Sequence, residues 1–289
     1  MKQELIYKRK ILNITHSLII ILGTALLLCL AAYLIYGIFG VLFVLFIWIT
    51  TIVSVSVFKP NVIVNLYNGK KVNYHELPKL YDLVNDLSKK ANLEQPPFLY
   101  YLPTDEIIML TTSLKSNSAI AISDGMLRLL NDDEIYGVLA HEISHIKNND
   151  ILLMQVTDIA SRLVTFVAYI GQMSMIILLP VFLENLVFFW MLFLVFFFMP
   201  PITRLMQLSL SRVREYAADL DSAILTGNPN YLIKALSKIN KIEVSIIHKI
   251  FNPFYKPTEP SLLRTHPSTE NRIKKLKDLE SFDFDEAVT

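Results

Sequence analysis

The 289-residue chain is 53% hydrophobic and only 18% charged, whereas charged residues average about 25% of a soluble domain. The deficit is confined to two segments, because no Asp, Glu, Lys or Arg occurs from Ile11 to Phe58, and Glu184 is the only one from Leu163 to Thr203. This pattern excludes a wholly soluble enzyme and a disordered chain, and the single cysteine, Cys29, excludes a disulfide-stapled module. The net charge of +1 gives no electrostatic reason to expect nucleic acid as a partner.

The first apolar segment predicts a transmembrane hairpin. A helix needs about 20 apolar residues to cross the hydrocarbon core, so the segment is long enough for two passes. We expect spans from Ser17 to Tyr36 and from Val41 to Phe58, joined by a turn at Gly37 to Gly40. A cleaved signal peptide is the alternative for the first span, but the run is too long and no small-residue cleavage site precedes a polar stretch.

The second apolar segment divides at Pro180 and the polar residues that follow it. This gives apolar runs from Leu163 to Leu179 and from Leu186 to about Thr203. Pro200 and Pro201 are expected to break the second helix near its end, since proline cannot continue the helical hydrogen bonds. We therefore predict an internal hydrophobic hairpin in the bilayer, with a re-entrant or protein-buried hairpin as the alternative.

Basic residues flank both hairpins on the side of the polar segments, and the short turns contain none. By the positive-inside rule, both termini and all polar segments are predicted to be cytoplasmic, in a multi-pass protein of the cell membrane. The predicted organisation is a tail and hairpin over 1–58, then a cytoplasmic domain over 59–289 that the hairpin at 163–203 interrupts. The flanking residues are Lys2, Lys8, Arg9, Lys10, Lys59, Lys70, Lys71, Arg162 and Arg204.

The polar segments predict helices around a small sheet, so the fold class is a mainly α membrane protein with a small β-sheet. Apolar residues recur at helical spacing from Leu77 to Ala91. A further helix opens at Asn131, with acidic residues in its first turn. The predicted strands are Phe98 to Leu102, Glu106 to Thr111 and Ala119 to Ser123, and the later helices run from Gln207 to Leu225, from Tyr231 and from Ser268.

The helix that opens at Asn131 contains the pattern H-E-x-x-H from His141 to His145. Histidines four residues apart lie on one helix face, so both imidazoles can reach one metal ion, and Glu142 projects from the edge of that face. The alternative is a helix with two surface histidines and an acid. The opposite side is predicted to face the core through Ile135, Leu139, Ile143 and Ile146.

A catalytic zinc needs three protein ligands and an open position for water. Glu215 and Asp219 lie one helical turn apart after the second hairpin. If Glu215 binds the ion, Asp219 can accept the spare N–H of a ligand histidine. Taken alone, however, the pair favours the plainer interpretation of an exposed acidic face.

Three separated segments carry a more specific pattern. They are Asn117 to Gly125 leading into Leu139 to Ile146, then Ser211 to Asp219, then Thr265 to Arg272. In their order, and with the two apolar hairpins in their places, they resemble the HtpX-type membrane-integrated zinc metalloproteases, which are related to the CAAX prenyl protease 1 group. The resemblance runs from about Leu77 to Leu276.

The resemblance implies a gluzincin-like zinc peptidase domain with one zinc ion per chain. His141, His145 and Glu215 would be the zinc ligands, Glu142 the catalytic acid/base, and Asp219 a support behind the ligands. The implied function is a zinc endopeptidase in membrane protein quality control. Its substrates would be membrane proteins or unfolded segments at the bilayer.

The resemblance also implies a catalytic role for His266, which would help to stabilise the oxyanion. From the residues alone, a histidine before a proline is more often a cap or a surface residue. The chain departs from the family at Ile107 to Leu110, where an Asn-Ala-Phe-Ala-like strand is usual. Because such a strand would pair with substrate through its backbone, the departure bears on substrate preference and leaves the zinc chemistry unchanged.

The sequence is also compatible with two other functions. A CAAX prenyl-type protease would use the same zinc ligands, although two short hairpins provide less membrane structure than that group has. A catalytically silent zinc-binding membrane factor would keep the ligands without the reaction, and the presence of Glu142 argues against it.

Overall fold

The computed structural model describes residues 2–55, 68–114, 117–182, 185–250 and 267–279. Contacts divide the chain into two compact units: a soluble unit of Met1–Lys10, Phe58–Leu152 and Arg214–Thr289, and an apolar unit of Ile11–Val57 and Leu153–Val213. In chain order the elements are α1 (Lys2–Val55), β1 (Lys70–Lys71), α2 (Pro78–Lys90), β2 (Phe98–Leu102), β3 (Met109–Leu114), β4 (Asn117–Ser123), α3 (Asp124–Leu129), α4 (Asp132–Lys147), α5 (Asp150–Ile177), α6 (Leu179–Phe182), α7 (Leu186–Thr226), α8 (Pro229–Ile250) and α9 (Thr269–Lys277).

Three described helices, α1, α5 and α7, are long and apolar enough to cross a membrane. α1 is interrupted at Tyr36 and Gly37, which have non-helical backbone angles. Gly37 has a φ of +60°, a conformation that glycine adopts readily. After the interruption the chain folds back, since a side chain at Gly40 would collide with the carbonyl oxygen of Ala32. Phe58, the predicted end of the second span, lies outside the described residues.

The predicted helix break at Pro200 and Pro201 is wrong, because α7 continues through both prolines. Proline at position 200 cannot donate to the carbonyl of Phe196. That carbonyl instead accepts a hydrogen bond of 2.9 Å from the Gln172 side chain of α5. A neighbouring helix thus replaces the lost bond, as an apolar environment requires. α7 therefore contains both the apolar run that begins at Leu186 and the polar segment after it.

The sheet has the strand order β1-β2-β4-β3, with β4 parallel to β2 and antiparallel to β3. The strand predicted at Phe98 to Leu102 has the expected bounds. β3 begins three residues later than expected, because residues before it form a turn in which Glu106 N–H bonds to Thr104 Oγ1 at 3.3 Å. Among the described strands, β3 pairs only with β4 and is therefore an edge strand.

The start and buried face of α4 are as predicted. Asn131 and Glu134 cap the helix reciprocally, each side chain accepting the other's backbone N–H at 2.9 Å. On the other side, a Cβ at Gly137 would lie 2.6 Å from the backbone nitrogen of Leu232, so α8 packs directly on α4. The Ser222 hydroxyl of α7 donates to the Gly137 carbonyl at 2.9 Å. The predicted core residues Ile135, Leu139, Ile143 and Ile146 are all buried.

Candidate metal centre

One helix face of α4 and one residue of α7 bring three metal-ligand side chains together. The Nε2 atoms of His141 and His145 lie 3.2 Å apart. Glu215 directs its carboxylate at both, with Oε2 3.6 Å from His141 Nε2 and Oε1 3.7 Å from His145 Nε2. Donor atoms about 2.1 Å from a tetrahedral zinc ion lie about 3.4 Å from one another. The spacing of these three side chains therefore fits a metal ion.

Both imidazoles are held from behind by a buried carboxylate. His141 Nδ1 lies 3.0 Å from Asp219 Oδ1, and His145 Nδ1 lies 2.8 Å from Asp150 Oδ2. When Nδ1 donates to a carboxylate, the neutral imidazole presents its lone pair at Nε2. Both lone pairs then face the Glu215 carboxylate, which is the arrangement that metal binding needs.

Asp150 is a site residue that the sequence reasoning missed. It is completely buried and forms an ion pair with Arg214, which is also buried. Asn149 has a positive φ of 53°, so the chain changes direction after α4, and Asp150 lies behind His145. The available signal was an acid five residues after the second histidine, directly after an asparagine, which adopts the left-handed conformation more often than most residues.

Arg272 on α9 is the second missed residue. Its guanidinium donates two hydrogen bonds to Asp219, from Nη2 to Oδ1 at 2.6 Å and from Nε to Oδ2 at 2.9 Å. A third contact joins Arg272 Nη1 to Glu215 Oε2 at 3.2 Å. Burial lowers the pKa of Arg272, but the charges of Asp219 and Glu215 outweigh burial and raise it above its ordinary value. Arg272 therefore stays charged and links the predicted ligand to the carboxylate behind His141.

The charges of this cluster favour a cation. Three buried carboxylates face two buried or nearly buried guanidiniums, so with neutral imidazoles the cluster keeps one net negative charge. A buried net charge is costly unless it is compensated. A divalent metal ion between the ligands would compensate it.

The protonation of His141 responds to the same cluster. Burial and the charge of Arg272 lower its pKa, whereas hydrogen bonds to Asp219 and Glu215 and the charge of Asp219 outweigh them and raise it to about 9. At neutral pH the metal-free site therefore holds a proton on His141. A metal ion bound there would have to displace that proton, because imidazole binds a metal ion in its neutral form.

The remaining predicted residues lie around this cluster. Glu142 follows His141 on α4 and is half-buried. His266 lies outside the described residues, directly before the Pro267 and Ser268 that precede α9. Ser268 caps α9 by accepting the Asn271 N–H at 3.3 Å. The chain thus enters α9 in a fixed direction, which determines where Arg272 lies one turn later.

Comparisons with known proteins identify the family of the chain. Residues 75–280 match peptidase family M48. A relative described as a protease HtpX homolog, from Campylobacter concisus, is 33% identical over 77% of this chain and 82% of its own length. Another from Aquifex aeolicus is 30% identical over 77% of this chain and 78% of its own length. Among solved structures, Ste24p of S. mikatae matches with a TM-score of 0.53 and 19% identity over 93% of this chain and 66% of that protein, and this likeness concerns the fold alone.

An H-E-x-x-H helix whose histidines meet a glutamate of a second helix, in a chain with apolar helices, defines a metallopeptidase of the membrane. The chain belongs to peptidase family M48 and is a membrane zinc metalloprotease. Family membership favours the enzyme over the silent zinc-binding factor.

Proposed function

We propose that the chain is an HtpX-type endopeptidase that binds one zinc ion through His141, His145 and Glu215. The observation that carries the proposal is the convergence of these three side chains, whose ligand atoms lie within 4.8 Å of one another. Zinc in this site would supply a Lewis acid and lower the pKa of a water molecule towards about 7. The fold would then be gluzincin-like, with the third ligand on a helix after the H-E-x-x-H helix.

The side chains of this cluster would have distinct roles in the hydrolysis of a peptide bond. Glu142 would take a proton from the attacking water and deliver it to the leaving amine. Asp219 and Asp150 would hold the two imidazoles in the ligand tautomer, since each accepts from an Nδ1 atom. His266 would help to stabilise the oxyanion that develops on the scissile carbonyl.

The edge position of β3 among the described strands supports an extended protein segment as substrate. An edge strand has backbone N–H and C=O groups that can pair with another chain, and side-chain pockets then set the preference. Of the residues at the departure from the family, Met109 and Leu110 begin this strand, and Ile107 and Ile108 lie directly before it. We propose that membrane proteins or unfolded segments bind here and that the enzyme acts in protein quality control.

The proposed topology has two spans in the first hairpin, two in the second, and one cytoplasmic peptidase domain built from 59–162 and 204–289. Cysteine labelling of intact cells tests it in a Cys29→Ser background. A cysteine at Gly37 should react with an impermeant reagent added outside, and one at Lys71 should not. Labelling of the Lys71 site from outside would show that the topology is the opposite of the one proposed.

Metal analysis tests the ligand set. Purified parent protein should contain about one zinc per chain and should cleave casein until a chelator is added. Glu215→Ala leaves two ligands, so its zinc content should fall sharply. Glu94→Ala, which removes an exposed carboxylate of the same unit, is the matched control and should retain the metal. Full zinc occupancy in Glu215→Ala would remove Glu215 from the site.

A further inference from the structure

A groove of about 590 Å³ lies within the apolar unit, between α5 and α7. α5 contributes residues from Asp158 to Tyr169 at spacings of three and four, which is a single helix face. α7 contributes residues from Pro200 to Gln207. None of the residues that line the groove is one that the proteolytic reaction uses.

One end of the groove is a polar network that orients two arginines. Asp158 accepts from Arg162 Nε at 2.8 Å and from Gln207 Nε2 at 2.6 Å, so both of its oxygens are occupied. Gln207 in turn accepts from Arg204 Nη1 at 2.9 Å. The network therefore holds both guanidiniums at the same end of the groove.

This end of the groove has a net positive charge. Asp158 neutralises one arginine, and among the described residues Arg204 contacts no carboxylate. The hydrogen bonds above use one nitrogen of each guanidinium, which leaves the others able to donate. Arginine donors in this arrangement match the geometry of phosphate oxygens.

The other end of the groove is apolar and open. Phe166 and Tyr169 are 62% and 58% exposed, and the rings of Pro200 and Pro201 line the opposite wall. Arg162 and Tyr169 are seven residues apart on α5, which is about 10 Å along a helix. The groove therefore changes from cationic to apolar over about the length of a lipid headgroup with its glycerol.

The position of the arginines in the sequence supports the same conclusion. Arg162 and Arg204 directly bound the apolar run from Leu163 to Thr203, which contains a single charged residue. Charges at the ends of membrane helices lie at the headgroup level, where basic pockets between helices bind anionic headgroups. We propose that this groove binds one anionic phospholipid, with its phosphate on Arg162 and Arg204 and its glycerol and first acyl carbons against Phe166 and Tyr169.

The test is lipid binding by the full-length protein in detergent, measured by native mass spectrometry with phosphatidylglycerol and phosphatidylcholine. The parent should retain one phosphatidylglycerol in preference to phosphatidylcholine. If each basic residue contributes about 1 kcal/mol, Arg204→Gln should weaken phosphatidylglycerol binding about fivefold and the double variant with Arg162→Gln about 30-fold. Arg128→Gln, which removes an exposed arginine of the soluble unit, should bind as the parent does.

A groove-filling variant separates a built site from general attraction to basic residues. Thr165→Phe fills the groove between the two ends but leaves both arginines in place, so it should also lose the bound lipid. The proposal is overturned if Thr165→Phe or the double arginine variant binds phosphatidylglycerol as tightly as the parent. It is also overturned if Arg128→Gln loses as much affinity for phosphatidylglycerol as the double arginine variant, or if soluble glycerol phosphate displaces the lipid at equal concentration. Unchanged melting temperatures would show that the variants are folded.

Discussion

Arg272 provides the most specific test of the site's electrostatics, because it joins a predicted ligand to the carboxylate behind His141. Its side chain is only 13% exposed, and its partners Asp219 and Glu215 are nearly inaccessible. Removing one partner of a buried ion pair commonly costs about 3 to 5 kcal/mol, since the other charge remains buried without compensation. At roughly 2 to 4 °C per kcal/mol for a chain of this size, Arg272→Leu should lower the melting temperature by about 6 to 20 °C.

The assay is thermal unfolding of detergent-purified protein, with metal content measured on each sample. Arg272→Lys keeps the charge but loses the paired hydrogen bonds to Asp219, so its melting temperature should lie between those of the parent and Arg272→Leu. Arg128 also contacts two carboxylates, but its side chain is 61% exposed, so Arg128→Leu should change stability by less than about 1 kcal/mol. If Arg272→Leu melts within a degree of the parent with its metal intact, Arg272 does not organise the site.

Two further predictions concern the histidines. Asp150→Asn removes the negative charge behind His145, so zinc affinity should fall by about 10- to 100-fold in competition with a chromogenic chelator; an unchanged affinity would mean that Asp150 does not orient the imidazole. In chelator-treated protein the pKa of His141 is raised from 6.5 to about 9. Its contribution to stability should therefore be present below pH 6.5 and be lost as the pH rises through 9. The melting temperature of the parent should decline across that window, and that of His141→Gln should decline less. Equal slopes of melting temperature against pH would assign the effect to another group.

Local sequence signals predicted the parts of the site that lie on one helix. H-E-x-x-H spacing depends only on the helical repeat, and the capping residues Asn131 and Glu134 fixed where α4 begins. The apolar stripe on α4 predicted its buried face for the same reason. Glu215 needed the family resemblance, because two acids one turn apart are common on exposed helix faces.

Contacts across turns and between distant segments were not predictable in this way. Asp150 and Arg272 reach the histidines through the left-handed turn at Asn149 and through the packing of α9. The continuous α7 depends on Gln172 of another helix. Its side chain donates the hydrogen bond that the missing proline N–H cannot donate. Each of these features is set by tertiary structure, which overrides the local preference of the sequence.

Replacement of Glu142 by glutamine tests the central claim most directly, because it separates proton transfer from metal binding. Glutamine has nearly the same shape but cannot accept a proton at neutral pH, so Glu142→Gln should keep the fold and one zinc per chain. Peptide cleavage should fall by about 100- to 10,000-fold, which is the usual contribution of general acid–base catalysis. Cleavage and metal content must be measured on the same detergent-purified sample. A variant that contains zinc and cleaves at near the parent rate would contradict the assigned mechanism.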